Sequence, residues 1–343
     1  MSATVLHTEV GVSDEKQTAA KSAGRRFGAL VVRLGAIAAF AAIMAYFVIF
    51  APGFTSTFNL INVVEQSAIL GVLAYGMTAV IIGGGSDVTE GGIDLSIAAN
   101  MGLCAAVYAT LLSMGYGDFL SVLAAIAVGM AVGALNALAV VGLGILPLLA
   151  TLAVLNVAAG MELTLTQNTV VGASSPLLGV LVSGSFLGVS ALAWALIVFS
   201  AIMTVLVHGT SFGLRLYAVG GHPEAARAAG ISVPFYVSFT YVLSGLCAAV
   251  AAILTVSRLS ASTPGSGELL LSVLAAALLG TVFSRRFVPT MGGTLLSVLF
   301  IGLLANGFQL LNVSSYWVNG VQGALILLVV AITSFARGSE GSR

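Results

Sequence analysis

The chain has 343 residues, 59% of them hydrophobic and 7% charged, with twelve basic and twelve acidic side chains and a net charge of zero. A soluble domain carries about 25% charged residues, so a water-soluble fold is excluded, and the lack of net positive charge argues against nucleic-acid binding. With a mean hydropathy of +1.12 and apolar blocks near the ~20 residues that cross a bilayer, the chain reads as an all-α polytopic membrane protein.

Residues 1–27 hold Glu9, Asp14, Glu15, Lys16, Lys21, Arg25 and Arg26 among small polar residues, with no apolar run. This predicts a disordered cytoplasmic tail. The block at 29–50 is too long for a signal-peptide core and ends in APGF rather than a small-residue cleavage site, so it is read as an uncleaved first span. Apolar blocks follow at 63–83, 95–113, 119–142, 145–165, 188–208, 235–257, 267–283, 292–311 and 316–336. Together they make about ten transmembrane helices within a membrane domain at 28–337, leaving 338–343 as a short cytoplasmic tail. Block 145–165 carries Thr151, Asn156 and Glu162, and block 267–283 is short. Cys104 and Cys247 each sit in a copy of GLCAAV inside a span, without metal-ligand spacing, and read as small core residues.

Lys and Arg collect in cytoplasmic loops. With the first tail inside, ten spans return the last tail inside, and every Lys and Arg except Arg258 falls on the cytoplasmic side. The connections at 51–58, 113–118, 166–187 and 312–315, assigned to the outer face, contain neither residue. The same register puts residues 209–234 in a cytoplasmic loop containing GGHPEAARAAGI at 220–231.

That stretch has helix chemistry of its own. Pro223 suits the first helical position, Glu224 complements the positive end of the helix dipole, and EAARAA has high helical propensity. Gly230 supplies a left-handed cap. A helix of about two turns is unstable alone in water, so it must pack against something: the chain's own cytoplasmic face, or a groove in a partner.

The spacing of Glu224, Ala225, Ala226, Arg227 and Gly230 resembles the cytoplasmic coupling loop of ABC importer permeases. The wider block LRLYAVGGHPEAARAAGISV at 214–233 resembles the ribose and simple-sugar branch of that family, as do GGIDLSIAANMGL at 91–103 and GLLANGFQLLNVSSYWVNGVQGALILLVV at 302–330. The resemblance extends from about residue 58 to 336. It implies an inner-membrane permease subunit with a short cytoplasmic coupling helix, working with a second permease subunit, a sugar-type ATPase and a periplasmic sugar-binding protein. Pro223, Glu224, Ala225, Ala226, Arg227 and Gly230 would then meet the ATPase, with Ala225 and Ala226 as a flat apolar face. Two departures stand out. IIGGGSDVTEGGIDLS has an added stretch around Ser86 to Glu90 where the family has a short TGG approach. LGTVFSRRFVPTMGG replaces a glycine-rich GGTSLSGGRGS-like middle with Arg285, Arg286 and Pro289.

No G-x-x-x-x-G-K-[ST] occurs in the chain. ATP-Mg would therefore be bound by a partner, with no cofactor and no catalytic residue expected here. Amides inside spans are costly unless they face protein or water, which makes Asn100, Asn136, Asn156, Asn306 and Gln309 candidates for the solute pathway; each also has a structural reading, as glue between helices. Asp94 with Ser96 at a helix start reads as a cap and dipole partner. The alternative function is an ion-coupled secondary transporter of small polar solutes, with Glu162 or Asp94 as its coupling carboxylate. His7, His208 and His222 form no metal-spaced set.

Overall fold

The computed structural model describes residues 40–85, 92–265, 269–284 and 288–314, together with positions 38, 317, 319–321, 323, 324 and 327. The two expected tails, the start of the first span, most of the block at 316–336, and Ser86 to Glu90, Arg285 and Arg286 lie outside the described residues.

Twelve helices follow one another among the residues described up to 314, and the described positions beyond, from 317 to 327, are helical as well. Those long and apolar enough to cross a membrane are α2 (Thr57–Gly84), α4 (Asp118–Ala137, continued by a π-helical stretch Leu138–Gly142), α5 (Pro147–Thr166), α7 (Ala191–His208), α10 (Val233–Leu259) and α12 (Met291–Leu310). Three apolar helices are shorter: α1 (Phe40–Phe50), α3 (Ile97–Ser113) and α11 (Leu270–Val282). The rest are α6 (Pro176–Ser183), α8 (Ser211–Gly221) and α9 (Pro223–Ala228). The chain is thus an all-α polytopic membrane protein with six full-length spans among the described residues, where the apolar blocks alone suggest about ten.

Local chemistry explains the starts of these helices. Ser56, Ser190, Thr210 and Thr290 each accept, through the side-chain oxygen, from the backbone N–H three residues on, at 3.1–3.4 Å, which satisfies a donor that the first turn leaves orphaned. Pro147, Pro176 and Pro223 open their helices, where a missing N–H is no loss.

The bundle is built around α2, which is buried along nearly its whole length and touches α10, α7, α12 and α11. Helix α10 packs on α4, α2 and α3, and α3 in turn on α5 and α4. Tyr75 on α2 donates to Ser200 on α7 at 2.8 Å, and Thr78 is bonded to Thr294 on α12 at 2.8 Å. The flanks of α4, α5 and α7 leave Leu123, Met130, Leu152, Ile197 and Ile202 exposed, as lipid-facing spans require.

Glycine brings two helices together at the α4–α10 seam. A Cβ on Gly245 would overlap the Gly129 carbonyl oxygen, and one on Gly133 would overlap the Tyr241 carbonyl oxygen. The backbones therefore touch with no side chain between them.

The connection from α2 to α3 is not a simple turn. Helix α2 stops at Gly84, with Gly85 at φ +84°. Residues 92–96 then lie back along the last turns of α2, where a Cβ on Gly92 would overlap the Val80 carbonyl. Helix α3 begins at Ile97, after the coil and turn at 92–96, two residues later than the block at 95–113.

At the end of the bundle where α3 finishes, the connection at 166–187 is more structured than a bare loop. It contains α6, strand β1 (Val171–Gly172) and β2 (Ser185–Phe186). β2 pairs with β3 (Val189–Ser190), and β1 pairs antiparallel with β4 (Ala261–Ser262), Val171 opposite Ser262. Asp118 latches this cover down: its carboxylate accepts from the Leu177 N–H at 3.1 Å and from the Tyr108 hydroxyl at 3.4 Å.

Helices α8 and α9 close the opposite end. The Tyr217 hydroxyl on α8 donates to the Pro289 carbonyl at 2.7 Å, and the His208 ring, stacked on Tyr217, accepts from the Met291 N–H at 3.3 Å. Burial pushes the Tyr217 phenol up to about 12, so this tie stays protonated throughout the neutral range.

Candidate functional site

The α8–α9 end carries the expected short helix. Helix α9 runs Pro223–Ala228, with Pro223 first and Gly230 at φ +77° just beyond its end. The Gly230 N–H donates to the Arg227 carbonyl and the Ile231 N–H to the Ala226 carbonyl, both at 2.9 Å, a closure that a left-handed residue makes possible. Glu224 and Arg227 form an ion pair on the outer surface, the one salt bridge among the described residues.

The two alanines of the motif point apart. Ala226 is 4% exposed and packs into the main core with Val233 and Leu216, whereas Ala225 is exposed. The outward surface of α9 is therefore formed by Pro223, Glu224, Ala225 and Arg227, and Ala226 anchors the helix to its own chain rather than sharing a flat face with Ala225. A lone two-turn helix is held in this way by one buried methyl group and a closed C-terminus.

The structure divides the five candidate pathway amides. Asn100 donates to the Gly129 carbonyl at 3.1 Å and joins α3 to α4. Asn306 and Asn59 exchange two bonds, at 2.8 and 3.0 Å, and Asn59 also donates to the Phe54 carbonyl at 2.9 Å. This reciprocal pair clasps α2 to α12. Asn136 belongs to the Asp94 network described below. By contrast, Asn156 is exposed on α5 and donates only to the Leu152 carbonyl of its own helix, at 2.8 Å, and Gln309 on α12 is also exposed. Asn306 and Gln309, three residues apart, thus have different surroundings.

Asp94 is fully buried just before α3. Its Oδ1 accepts from the Ser96 N–H at 3.0 Å, the Ser96 hydroxyl at 2.6 Å and the Asn136 amide at 3.2 Å; its Oδ2 accepts from the Ser244 hydroxyl of α10 at 2.6 Å. The Asn136 amide also donates to Ser96 Oγ at 2.7 Å. The first two bonds close a local turn just ahead of α3, whose N-cap residue Ser96 makes no side-chain cap bond, so the pair expected as a cap is a turn before the helix. The others tie α3 to α4 and α10. Glu162 is buried on α5 against Gly102 of α3, at a point where small residues let the helices approach.

Asn59, Ser244 and Tyr241 escaped the reading of the sequence. Asn59 stands near the start of its span, where a polar residue is unremarkable, and its partner is 247 residues away. Ser244 precedes Gly245 in an apolar run, a small-residue pair whose only sequence signal is close helix packing.

The family of permease components of branched-chain amino acid transport systems matches residues 59–330. The ribose import permease protein RbsC of Bacillus subtilis (strain 168) is 34% identical over 284 residues, covering 82% of this chain and 86% of that protein. Its namesake from Escherichia coli (strain K12) is 34% identical over 287 residues, covering 82% and 87%. The L-arabinose ABC transporter permease protein AraH of Azospirillum brasilense is 29% identical over 312 residues, covering 91% and 90%. No solved structure matches significantly. These matches favour an importer permease over an ion-coupled carrier. A bundle of apolar helices closed at one end by a capped, outward-facing short helix, matched over most of its length by such proteins, identifies the chain as a member of the transport-system permease-component family and a multi-pass inner-membrane permease of an ABC importer.

Proposed function

We propose that the chain forms the translocation pathway of an ATP-driven importer for a sugar or sugar-like polar solute, and that it is driven through α9 by a separate ATPase subunit. The observation that carries this reading is α9 itself: a charged, exposed helix anchored from beneath by Ala226 and followed, after the short closed turn at 229–232, by span α10. The names of the relatives, which are permeases for ribose, arabinose and galactose, support a monosaccharide-like solute.

In this reading the α8–α9 end faces the cytoplasm, as do both termini, so that Arg215 and Arg227 lie inside and Arg258 outside. Two permease subunits, identical or related, sit side by side with two ATP-binding subunits beneath them and a periplasmic sugar-binding protein above. ATP-Mg belongs to the ATPase, and this chain performs no chemistry. Closure of the ATPase dimer displaces α9, and α10 carries the displacement into the membrane. Of the candidate amides, Asn156 and Gln309 are free of other helices and suit hydroxyl-rich solutes as donors and acceptors; the exposed face of α5 that bears Asn156 then lines the pathway between subunits.

Deleting the chain from its host, with the rest of the transport system intact, is expected to abolish high-affinity uptake of one member of a radiolabelled panel of pentoses, hexoses and polyols, and re-expression to restore it. Unchanged uptake of every member of the panel would overturn the assignment.

A further inference from the structure

The Asp94 network does more than a local turn requires. The turn before α3 uses Oδ1 and the Ser96 N–H, whereas Oδ2 accepts at 2.6 Å from Ser244 on another helix, 150 residues away in sequence. Three irregular features of the bundle meet here: the broken approach to α3 at 92–96, the π-helical stretch beginning two residues after Asn136, and the glycine seam between α4 and α10.

The seam sets the physical problem. Gly129 on Gly245 and Gly133 on the Tyr241 carbonyl bring smooth backbones together. At these two crossings no side chain stands between the helices, so the glycines themselves set no axial register. Polar bonds then help to set it. Besides Ser244 to Asp94 just ahead of α3, the side-chain bond between α10 and α3 among the described residues is that of the Thr255 hydroxyl to the Met101 sulfur at 3.6 Å, and a thioether is a weak acceptor. Ser244 to Asp94, at 2.6 Å to a carboxyl oxygen, is therefore the strong one.

α10 is also the helix that α9 moves. Two backbone bonds at 2.9 Å close the turn between them, and Ala226 and Val233 share one core. Ser244 lies eleven residues into α10, about 16 Å from its start at the helical rise.

A second donor waits on the same face. Tyr241 precedes Ser244 by three residues, its side chain is fully buried, and its hydroxyl has no hydrogen-bond partner. The Tyr241 carbonyl meets Gly133 on α4, three residues before Asn136 of the Asp94 network, and Ser244, one turn further along α10, reaches Asp94. The Asn136 side-chain oxygen, in the same network, is likewise buried without a partner. A buried hydroxyl without a partner is costly, and it is explained if another position of α10 satisfies it.

Resting on the importer reading above, we propose that Asp94 is a two-position register lock: Ser244 holds it in the state seen here, and Tyr241 takes its place when α9 is displaced, so that α10 steps along α3 and α4 between two positions. Ser244 and Tyr241 are positioning residues in this scheme and touch no solute. Interfaces of this kind switch between discrete arrangements more readily than they deform continuously.

The test uses the complete transporter, permease with its ATPase and binding protein, in proteoliposomes. Ser244→Ala and Tyr241→Phe each remove a single oxygen atom. Each is expected to lower the solute moved per ATP by about tenfold, the scale on which coupling residues act. The discriminating readout is distance. Spin labels at the exposed Leu259, ending α10, and Met114, following α3, report the step between them by pulsed EPR, with and without a non-hydrolysable ATP analogue. Ser244→Ala should shift the nucleotide-free distribution toward the nucleotide-bound distance. Tyr241→Phe should hold the nucleotide-bound sample at the nucleotide-free distance. A network that merely stabilises the fold would lower the thermal midpoint of Ser244→Ala, leave that of Tyr241→Phe unchanged or raised, and leave both distance distributions unchanged; unchanged distributions, or full uptake per ATP in either variant, overturn the lock. If the unaltered chain takes up no solute with ATP, the importer reading itself fails and the lock with it; ATP-driven uptake by the unaltered chain alongside unshifted variants refutes the lock alone.

Discussion

Replacing Gly230 with Pro is expected to reduce ATP-driven uptake at least about tenfold, on the scale of lost coupling, while the amount of permease in the membrane stays near normal. Gly230 sits at φ +77°, and proline holds φ near about −65°. The substitution also deletes the N–H that donates to the Arg227 carbonyl at 2.9 Å and displaces Ile231, whose N–H closes on Ala226. Helix α9 then loses its tie to α10 without disturbing any span. Gly230→Ala separates the two causes: it keeps the N–H and pays only the left-handed penalty of about 1–2 kcal/mol, so its uptake should fall between the two. Glu224→Lys acts differently, replacing the ion pair with Arg227 by a repulsion and reversing the charge at the positive end of the helix dipole. It too should impair uptake with the protein inserted. Full transport by all three variants would remove α9 from the mechanism.

Replacing Gly245 with Val is expected to have the opposite signature, loss of the folded protein itself. A Cβ on Gly245 overlaps the Gly129 carbonyl oxygen, and the facing Gly129 has no room to yield, because its own Cβ position is blocked by the Gly245 carbonyl. Two backbones must part, breaking the seam on which the α3–α4–α10 core depends. Overpacking a well-fitted core costs about 1–3 kcal/mol, occasionally more, and a backbone-on-backbone clash belongs at or above the top of that range. The check is the thermal midpoint and detergent-extractable yield, with Gly160→Val as the comparison, since nothing lies within 4 Å of a Cβ at Gly160. Equal stability of the two variants would contradict the close approach.

What the sequence disclosed depended on how local the governing chemistry was. Spans such as 188–208 and 235–257 closely anticipate α7 (Ala191–His208) and α10 (Val233–Leu259), because apolar length is a local property and Ser190 marks one start. Helix α9 was legible for the same reason: Pro223 and Gly230 each fix a terminus from within the segment. The direction of Ala226 was not, since in six residues the buried face is chosen by what lies underneath. Nor was the interrupted approach to α3. Gly85 and Gly92 mark it, but in a chain with 41 glycines they carry no special signal. The least legible part was the polar wiring. Asn306 read as a pathway residue pairs with Asn59, and Asp94 read as a cap also holds Ser244, through contacts 247 and 150 residues apart. Such pairings are decided by helix packing, which the order of side chains along one helix does not encode.

In the proposed mechanism this chain converts no energy itself and is driven by an ATPase acting at α9. The most direct test is solute uptake into proteoliposomes containing the permease and binding protein, with and without the ATPase subunit, energised either by ATP or by an imposed proton or sodium gradient. Accumulation that requires both the ATPase and ATP, and is insensitive to the gradient, is the predicted result; gradient-driven accumulation by the permease with no ATPase present would contradict it.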